Sequence, residues 1–257
     1  MAVAVEFQNV VKRFPGAGYN ALDHVSLKIE EGELLTVLGT SGCGKTTLIK
    51  LINRIHEADE GDIYLAGTNI KEIEPITLRR GIGYVIQQIG LFPHMTIYDN
   101  IATVPRILKW DKEKIDRRVT ELLEMVNLAP EEFKDRYPGQ LSGGQQQRIG
   151  LIRALAANPK IMLLDEPFGA IDAINRSNLQ EELLKIHRQS RKTFLFVTHD
   201  INEAIKLGTK VLIMDQGKIQ QYGTPTEIIE KPANAFVESL MRSGGADSNY
   251  VRNGEGI

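Results

Sequence analysis

The stretch Gly39-Thr40-Ser41-Gly42-Cys43-Gly44-Lys45-Thr46 satisfies every fixed position of the pattern G-x-x-x-x-G-K-[ST]. Its flanks suit it. The apolar run Glu33-Leu34-Leu35-Thr36-Val37-Leu38 precedes it, and Thr47-Leu48-Ile49-Lys50-Leu51-Ile52 can continue as a helix. The chain must therefore place a strand, a tight loop and a helix in succession. The three glycines Gly39, Gly42 and Gly44 let backbone N–H groups converge on an anion at the positive end of a helix dipole. Lys45 adds a point charge for the β and γ phosphates, and the Thr46 hydroxyl is a ligand for Mg²⁺. The plain alternative, a glycine-rich turn with a surface lysine, does not require these flanks.

Composition narrows the class. At 257 residues, 42% of them hydrophobic, the chain can bury a core as one large domain or two small ones. A formal charge of −2 argues against a nucleic-acid surface. The start, Met1-Ala2-Val3-Ala4-Val5-Glu6, is too soon interrupted by charge for a signal peptide, and no apolar run reaches the roughly 20 residues of a membrane helix. A cytosolic setting is expected. The one cysteine, Cys43, has no partner for an internal disulfide and fills a position of the loop that needs a small side chain.

Alternation in Val3–Val10 and Leu22–Ile29, around the turn Pro15-Gly16-Ala17-Gly18, predicts antiparallel strands ahead of the phosphate loop. A short strand is expected at Asp62-Ile63-Tyr64-Leu65. From about 90 to 159 the pattern is helical. Ile115, Val119, Leu122, Leu123 and Val126 form one apolar face opposite Arg117, Arg118, Glu121 and Glu124. A further helix is predicted from Gly143 to about Ala157, with Ser142 as its N-cap and Asn158-Pro159 as its stop. Ile161–Leu164 and Thr193–Val197 read as buried parallel strands. Val211–Met214 and Lys218–Tyr222 read as a hairpin about Asp215-Gln216-Gly217, followed by a capping box at Thr224-Pro225-Thr226-Glu227. Residues 1–242 are expected to form one α/β domain with the helical segment 90–159 inserted. Residues 243–257 are expected to be a flexible tail or a cut end.

Asp165 and Glu166 follow four apolar residues, so two carboxylates emerge at a strand end. From there Asp165 can hold the Mg²⁺ ligated by Thr46, and Glu166 can take a proton from the water that attacks the γ-phosphate. Leu141-Ser142-Gly143-Gly144-Gln145 then resembles the signature motif of ATP-binding cassette (ABC) ATPases. In that family the serine and glycines at a helix start bind the γ-phosphate held by the opposite subunit. Gln87, in Gly83-Tyr84-Val85-Ile86-Gln87-Gln88, matches the Q-loop glutamine, which also approaches the metal. His199, in Phe196-Val197-Thr198-His199-Asp200, matches the switch histidine, and Asp172, in Phe168-Gly169-Ala170-Ile171-Asp172, the D-loop aspartate. Phe14 matches the aromatic that stacks on adenine, with Tyr19 near enough to compete. Thr40 and Ile171 depart from the residues common in the family, proline and leucine, without removing a phosphate contact.

The resemblance implies a P-loop NTPase fold of the ABC type: a mainly parallel core sheet, an N-terminal antiparallel β subdomain and an inserted helical subdomain. It implies ATP and Mg²⁺ as ligands, bound by Phe14, the run from Gly39 to Thr47, Ser142, Gly143, Gly144, Gln145 and Asp172. Thr46, Gln87 and Asp165 are the expected metal ligands, and Glu166, His199 and Gln87 the catalytic group. One copy of each motif implies a head-to-tail homodimer around two ATP. A permease subunit would receive the motion in a groove beside Ile89, Leu91, Phe92, Met95 and Ile97, with an extracytoplasmic binding protein acting indirectly. The chain would then sit on the cytoplasmic face of the membrane. Residues 83–97, Leu108-Lys109-Trp110 and Gln145–Gly150 further resemble ATPases of bacterial importers for glycine betaine, carnitine and choline. An importer for an amino acid and a soluble ABC ATPase are the other readings. Many relatives in the group carry a C-terminal pair of CBS domains; here a short polar stretch follows Arg242, so the pair is either absent by nature or cut away.

Overall fold

The computed structural model describes residues 2–87, 90–169 and 173–244. In chain order the elements are β1 (Val3–Arg13), β2 (Asn20–Glu30), β3 (Leu34–Gly39), α1 (Lys45–Ile52), β4 (Glu60–Leu65), β5 (Thr68–Asn69), α2 (Pro75–Arg80), β6 (Ile82–Val85), α3 (Ile97–Ile107), α4 (Lys112–Met125), α5 (Pro130–Phe133), α6 (Gly143–Leu155), β7 (Ile161–Asp165), α7 (Ala173–Ser190), β8 (Thr193–Val197), α8 (Ile201–Leu207), β9 (Lys210–Asp215), β10 (Lys218–Gly223), α9 (Pro225–Glu230) and α10 (Ala235–Ser243). They fall into two compact units, residues 1–75 with 193–257, and residues 76–192.

In the first unit the predicted alternation becomes an antiparallel sheet in the order β2-β1-β4-β5. Val5 pairs with Ile29, Phe7 with Leu27 and Val10 with Val25, and all six are buried. Period-two alternation puts Val25, Leu27 and Ile29 of β2 into the core, and in β1 a register shift between Phe7 and Val10 keeps the facing row buried. The other strands of the unit run β10-β9-β3-β8. Here β3 pairs parallel with both β8 and β9, and every residue of β3 is buried, as expected of a strand covered on both faces. The β9–β10 hairpin closes at Gln216 and Gly217 with φ of 47° and 76°, the primed geometry whose twist matches paired strands. The capping box forms as predicted: Thr224 Oγ1 accepts from Glu227 N, and the Glu227 carboxylate accepts from Thr224 N. Ser243 ends α10. The remainder of the predicted tail, residues 245–257, lies outside the described residues.

In the second unit β6 and β7 pair parallel, Val85 opposite Leu164. The five stripe residues Ile115 to Val126 are all buried. Arg118 departs from the expected solvated face. Its guanidinium donates to the carbonyls of Leu155 and Ala156, so it satisfies the C-terminus of α6. That helix starts at the predicted N-cap, Ser142, but ends two residues before Ala157, at Leu155, and Asn158 turns away with φ 54°. The strongest test of this packing is Leu122, fully buried in α4. Leu122→Ala should lower unfolding stability by about 2–5 kcal/mol in a denaturant titration. A loss below about 1 kcal/mol would mean that the stripe is not core.

Candidate functional site

Sterics at the end of β3 shape the phosphate loop. A Cβ on Gly39, whose φ is 158°, would lie 2.1 Å from the Met214 carbonyl oxygen, and one on Gly44, φ 108°, would lie 2.3 Å from that of Ala21. Only glycine lets the loop pass between its neighbours. The loop is also fastened to the hairpin below it. Gly217 N donates to Cys43 O at 3.1 Å, and the Thr40 hydroxyl donates to Asp215 at 3.1 Å. Lys45 is 7% exposed and folds back over the loop, donating to the carbonyls of Gly39 at 2.8 Å and Thr40 at 2.9 Å. Thr46 and Thr47 lie in the first turn of α1, which Gly44 precedes as N-cap. Cys43 is 2% exposed, and burial pushes its thiol above the ordinary range against the pull of Lys45.

His199 comes two residues after Val197, which pairs with Val37, itself two residues before Gly39. Parallel pairing thus brings the histidine and the phosphate loop to the same edge of this pair of strands. The histidine is exposed while both its neighbours are pinned. Thr198, 2% exposed, donates through its hydroxyl to Glu203 at 2.7 Å and accepts from Asp200 N at 3.0 Å. Phe14 and Tyr19 part company. Phe14 is half-buried, edge-on to His56 at 5.1 Å, whereas Tyr19 is 65% exposed and lines a hollow of about 530 Å³ with residues Thr40 to Cys43.

The second unit repeats the edge geometry. Gln87 and Glu166 each lie two residues past a paired position, Val85 and Leu164, and the Gln87 amide donates to Glu166 Oε2 at 3.3 Å. Glu166 has φ 45°, a left-handed conformation costing of order 1–3 kcal/mol, and Gly169 N donates to its carbonyl oxygen at 3.2 Å. Asp165 ends β7 at 9% exposure. Beside it, burial first, then the Asp165 charge and a hydrogen bond to it, push the Tyr84 phenol up to about 12. At the head of α6, Ser142 Oγ accepts from Gln145 N at 3.3 Å and Gln145 Oε1 from Ser142 N at 3.0 Å, so Gln145 serves the helix start. Cβ atoms on Gly143 and Gly144 would meet nothing within 4 Å. Among the described residues nothing stands where those Cβ atoms would lie. Asp172 lies outside the described residues.

The apolar segment expected to receive a partner divides. Ile97 is fully buried in α3, Leu91 and Met95 are half-buried, and Phe92 is 40% exposed; Ile89 lies outside the described residues. Phe92 helps line a groove of about 510 Å³ with Ile76, Val104 and Ile107, bordered by Arg79 and Arg153. Arg153 donates to Gly90 O at 2.7 Å, and burial lowers its pKa. Asn100, fully buried, ties the loop down: its Oδ1 accepts from Phe92 N at 2.8 Å while its amide faces the carbonyls of Phe92, Met95 and Thr96.

Sequence reasoning gave no role to Gln147, Thr198, Glu203 or Tyr84. Gln147 had a signal: it falls on the buried side of α6 in step with Leu151 and Leu155, a polar residue on an apolar stripe.

Thr46, Gln87 and Asp165 offer only oxygen donors, which suits magnesium. Among the described residues no group of three His, Cys, Asp or Glu could hold a metal ion. No helix among them is long and apolar enough to cross a membrane.

The family model described as ABC transporter matches residues 22–169. The glycine betaine/carnitine/choline transport ATP-binding protein OpuCA of Bacillus subtilis is 54% identical over 92% of this chain, which spans 62% of that protein. The glycine betaine uptake system ATP-binding protein YehX of Escherichia coli is 46% identical over 92% of this chain and 76% of its own length. Among solved structures, a dimeric ATP-binding cassette in a post-hydrolysis state, bound to ADP and Pi, superposes with a TM-score of 0.74 at 35% identity, covering 86% of this chain and 98% of that one.

Since Cys43 is the only cysteine, its burial is directly measurable. A thiol reagent at pH 8 should label the native chain at least about tenfold more slowly than the unfolded chain. The folded state holds the thiol proton more tightly, so this group's contribution to stability is present below the ordinary thiol pKa and lost as pH rises through the raised one. Equal labelling rates would contradict the burial.

Proposed function

The chain belongs to the ABC transporter family, and we propose that it is the ATP-hydrolysing subunit of an importer for a quaternary-amine osmoprotectant such as glycine betaine, carnitine or choline. The observation that carries hydrolysis is the Gln87 amide on the Glu166 carboxylate, at the edge where two parallel strands end. Glu166 takes the proton of a water as that water's oxygen bonds to the γ-phosphorus. The bond to the ADP oxygen breaks, leaving ADP and phosphate. Gln87 orients both water and carboxylate, and His199, held by its pinned neighbours, donates to the γ-phosphate. Thr46, Gln87 and Asp165 would hold Mg²⁺, which neutralises charge developing on the phosphates. Lys45 and the loop N–H groups bind the β and γ phosphates.

Ser142 and Gly143 are exposed and Gly144 is partly exposed at a helix N-terminus, where a Cβ on either glycine would meet none of the described residues within 4 Å. That favours a second copy whose bound ATP they contact, giving a head-to-tail dimer around two nucleotides, with Asp172 at the seam. The groove at Phe92 is the proposed seat for a short helix of an integral-membrane permease, which an extracytoplasmic binding protein would supply with solute. On this reading the chain sits on the cytoplasmic face of the membrane. The solute class rests on the names of the relatives, and an importer for another small solute is the second reading.

Glu166→Gln should cut ATP turnover at least about a hundredfold while ATP-dependent dimers persist on size exclusion; turnover near the wild-type rate would remove Glu166 from the reaction. By the family resemblance Phe14→Ala should raise KM for ATP about tenfold, the range of one lost base stack, with Tyr19→Ala nearly neutral, although Tyr19 is the ring that lines the hollow beside the loop. The reverse pattern transfers adenine stacking to Tyr19. For the solute, the complete transporter in vesicles should take up glycine betaine, carnitine or choline when ATP is supplied. Uptake confined to an unrelated amino acid would discard the osmoprotectant reading and leave the ATPase intact.

A further inference from the structure

A buried amide must spend its hydrogen bonds inside the protein, since water cannot replace one left unmade. Gln147 is 2% exposed on α6, and its Nε2 donates to the carbonyl oxygen of Pro167 at 2.5 Å. Pro167 follows Glu166 directly, and Glu166 holds the left-handed φ of 45°. A non-glycine residue stays in that region only when its surroundings over-determine it. Two bonds do so here. Gly169 N binds the carbonyl of Glu166, and Gln147 binds the next carbonyl along. The backbone of this turn fixes the direction in which the Glu166 side chain leaves the chain, and hence its meeting with Gln87.

We propose that Gln147 is a positioning residue for Glu166: from inside α6 it holds the turn that aims the carboxylate, and so joins the signature helix to the hydrolytic group. The proposal rests on the reading of Glu166 as the base. Its geometric consequence concerns α6. Ser142 caps this helix and Gln147 lies one and a half turns further on, so the element that offers Ser142 to a second copy also holds the turn that aims its own chain's Glu166. A shift of α6 on contact with the second copy's nucleotide would thereby reach the carboxylate through a single hydrogen bond.

The test uses the full chain with Mg-ATP and two variants, Gln147→Met and Gln147→Leu. They differ in shape but both lack the donor, so either keeps the test alive if the other does not fold. We expect kcat to fall at least about tenfold in both, with KM for ATP within about twofold of wild type. In a Glu166→Gln background, ATP-dependent dimers should form as they do without the second change. Turnover within twofold of wild type in a folded variant overturns the proposal, as does a loss of kcat matched by an equal loss of ATP affinity, which a merely structural role would give. Glu166→Gln alone separates the two readings. Normal turnover in that variant removes the base itself, whereas its inactivity beside normal Gln147 variants removes only the positioning role.

Discussion

Parallel pairing between strands fixes where reactive side chains can emerge. In a parallel pair both chains run the same way, so the residues that follow each strand leave at one common edge. In the first unit this brings the end of β3, where the phosphate loop begins, beside the end of β8, where His199 follows. In the second it brings Gln87 after β6 beside Glu166 after β7. Each pair is far apart in sequence, and no local propensity would join them. The apolar side chains of β3 and β8 that enforce the register take no part in chemistry. Their burial is nevertheless what makes two remote polar residues neighbours.

The phosphate loop was legible because its pattern is eight consecutive residues at fixed spacing, although the carbonyls that make Gly39 and Gly44 obligatory, those of Met214 and Ala21, come from elsewhere in the chain. The α4 stripe and the capping box at Thr224 were legible for a similar reason, being set by residues three and four apart. Less could be read where the partner is distant. Gln147 reaches Pro167 across 20 residues of chain, and Arg118 reaches Leu155 across 37. A sequence displays the polar side chain but not the carbonyl that satisfies it. The helix α7 was expected only as part of the strand-and-helix alternation after Pro159 and its bounds were not read, because its buried apolar residues, Leu179, Leu183 and Ile186 among the described ones, stand among many charges. The choice between Phe14 and Tyr19 could not be read either, since both are aromatics in a turn-rich stretch, and only their surroundings differ.

The buried polar residues share a logic. Thr36, Asn100, Gln147, Thr198 and Glu203 lie among apolar neighbours, and each is hydrogen-bonded. Such groups add little net stability compared with well-packed hydrocarbon, but their bonds are directional, so they fix backbone that packing alone leaves adjustable. Thr36 joins β3 to α8 and β9, and the others occur next to segments without regular structure: the loop before α3, the turn after β7 and the residue before His199.

Asn100 gives this logic a mechanical meaning. A loop that projects an exposed aromatic ring would ordinarily yield when pushed, dissipating the push in its own rearrangement. Phe92 N donates to Asn100 Oδ1, and the two hydrogens of the Asn100 amide are shared among the carbonyls of Phe92, Met95 and Thr96, so residues 92–96 are tethered to α3 through one buried side chain. The rim of the groove is therefore stiff, and a displacement applied there passes into the helix as translation instead of being absorbed as bending.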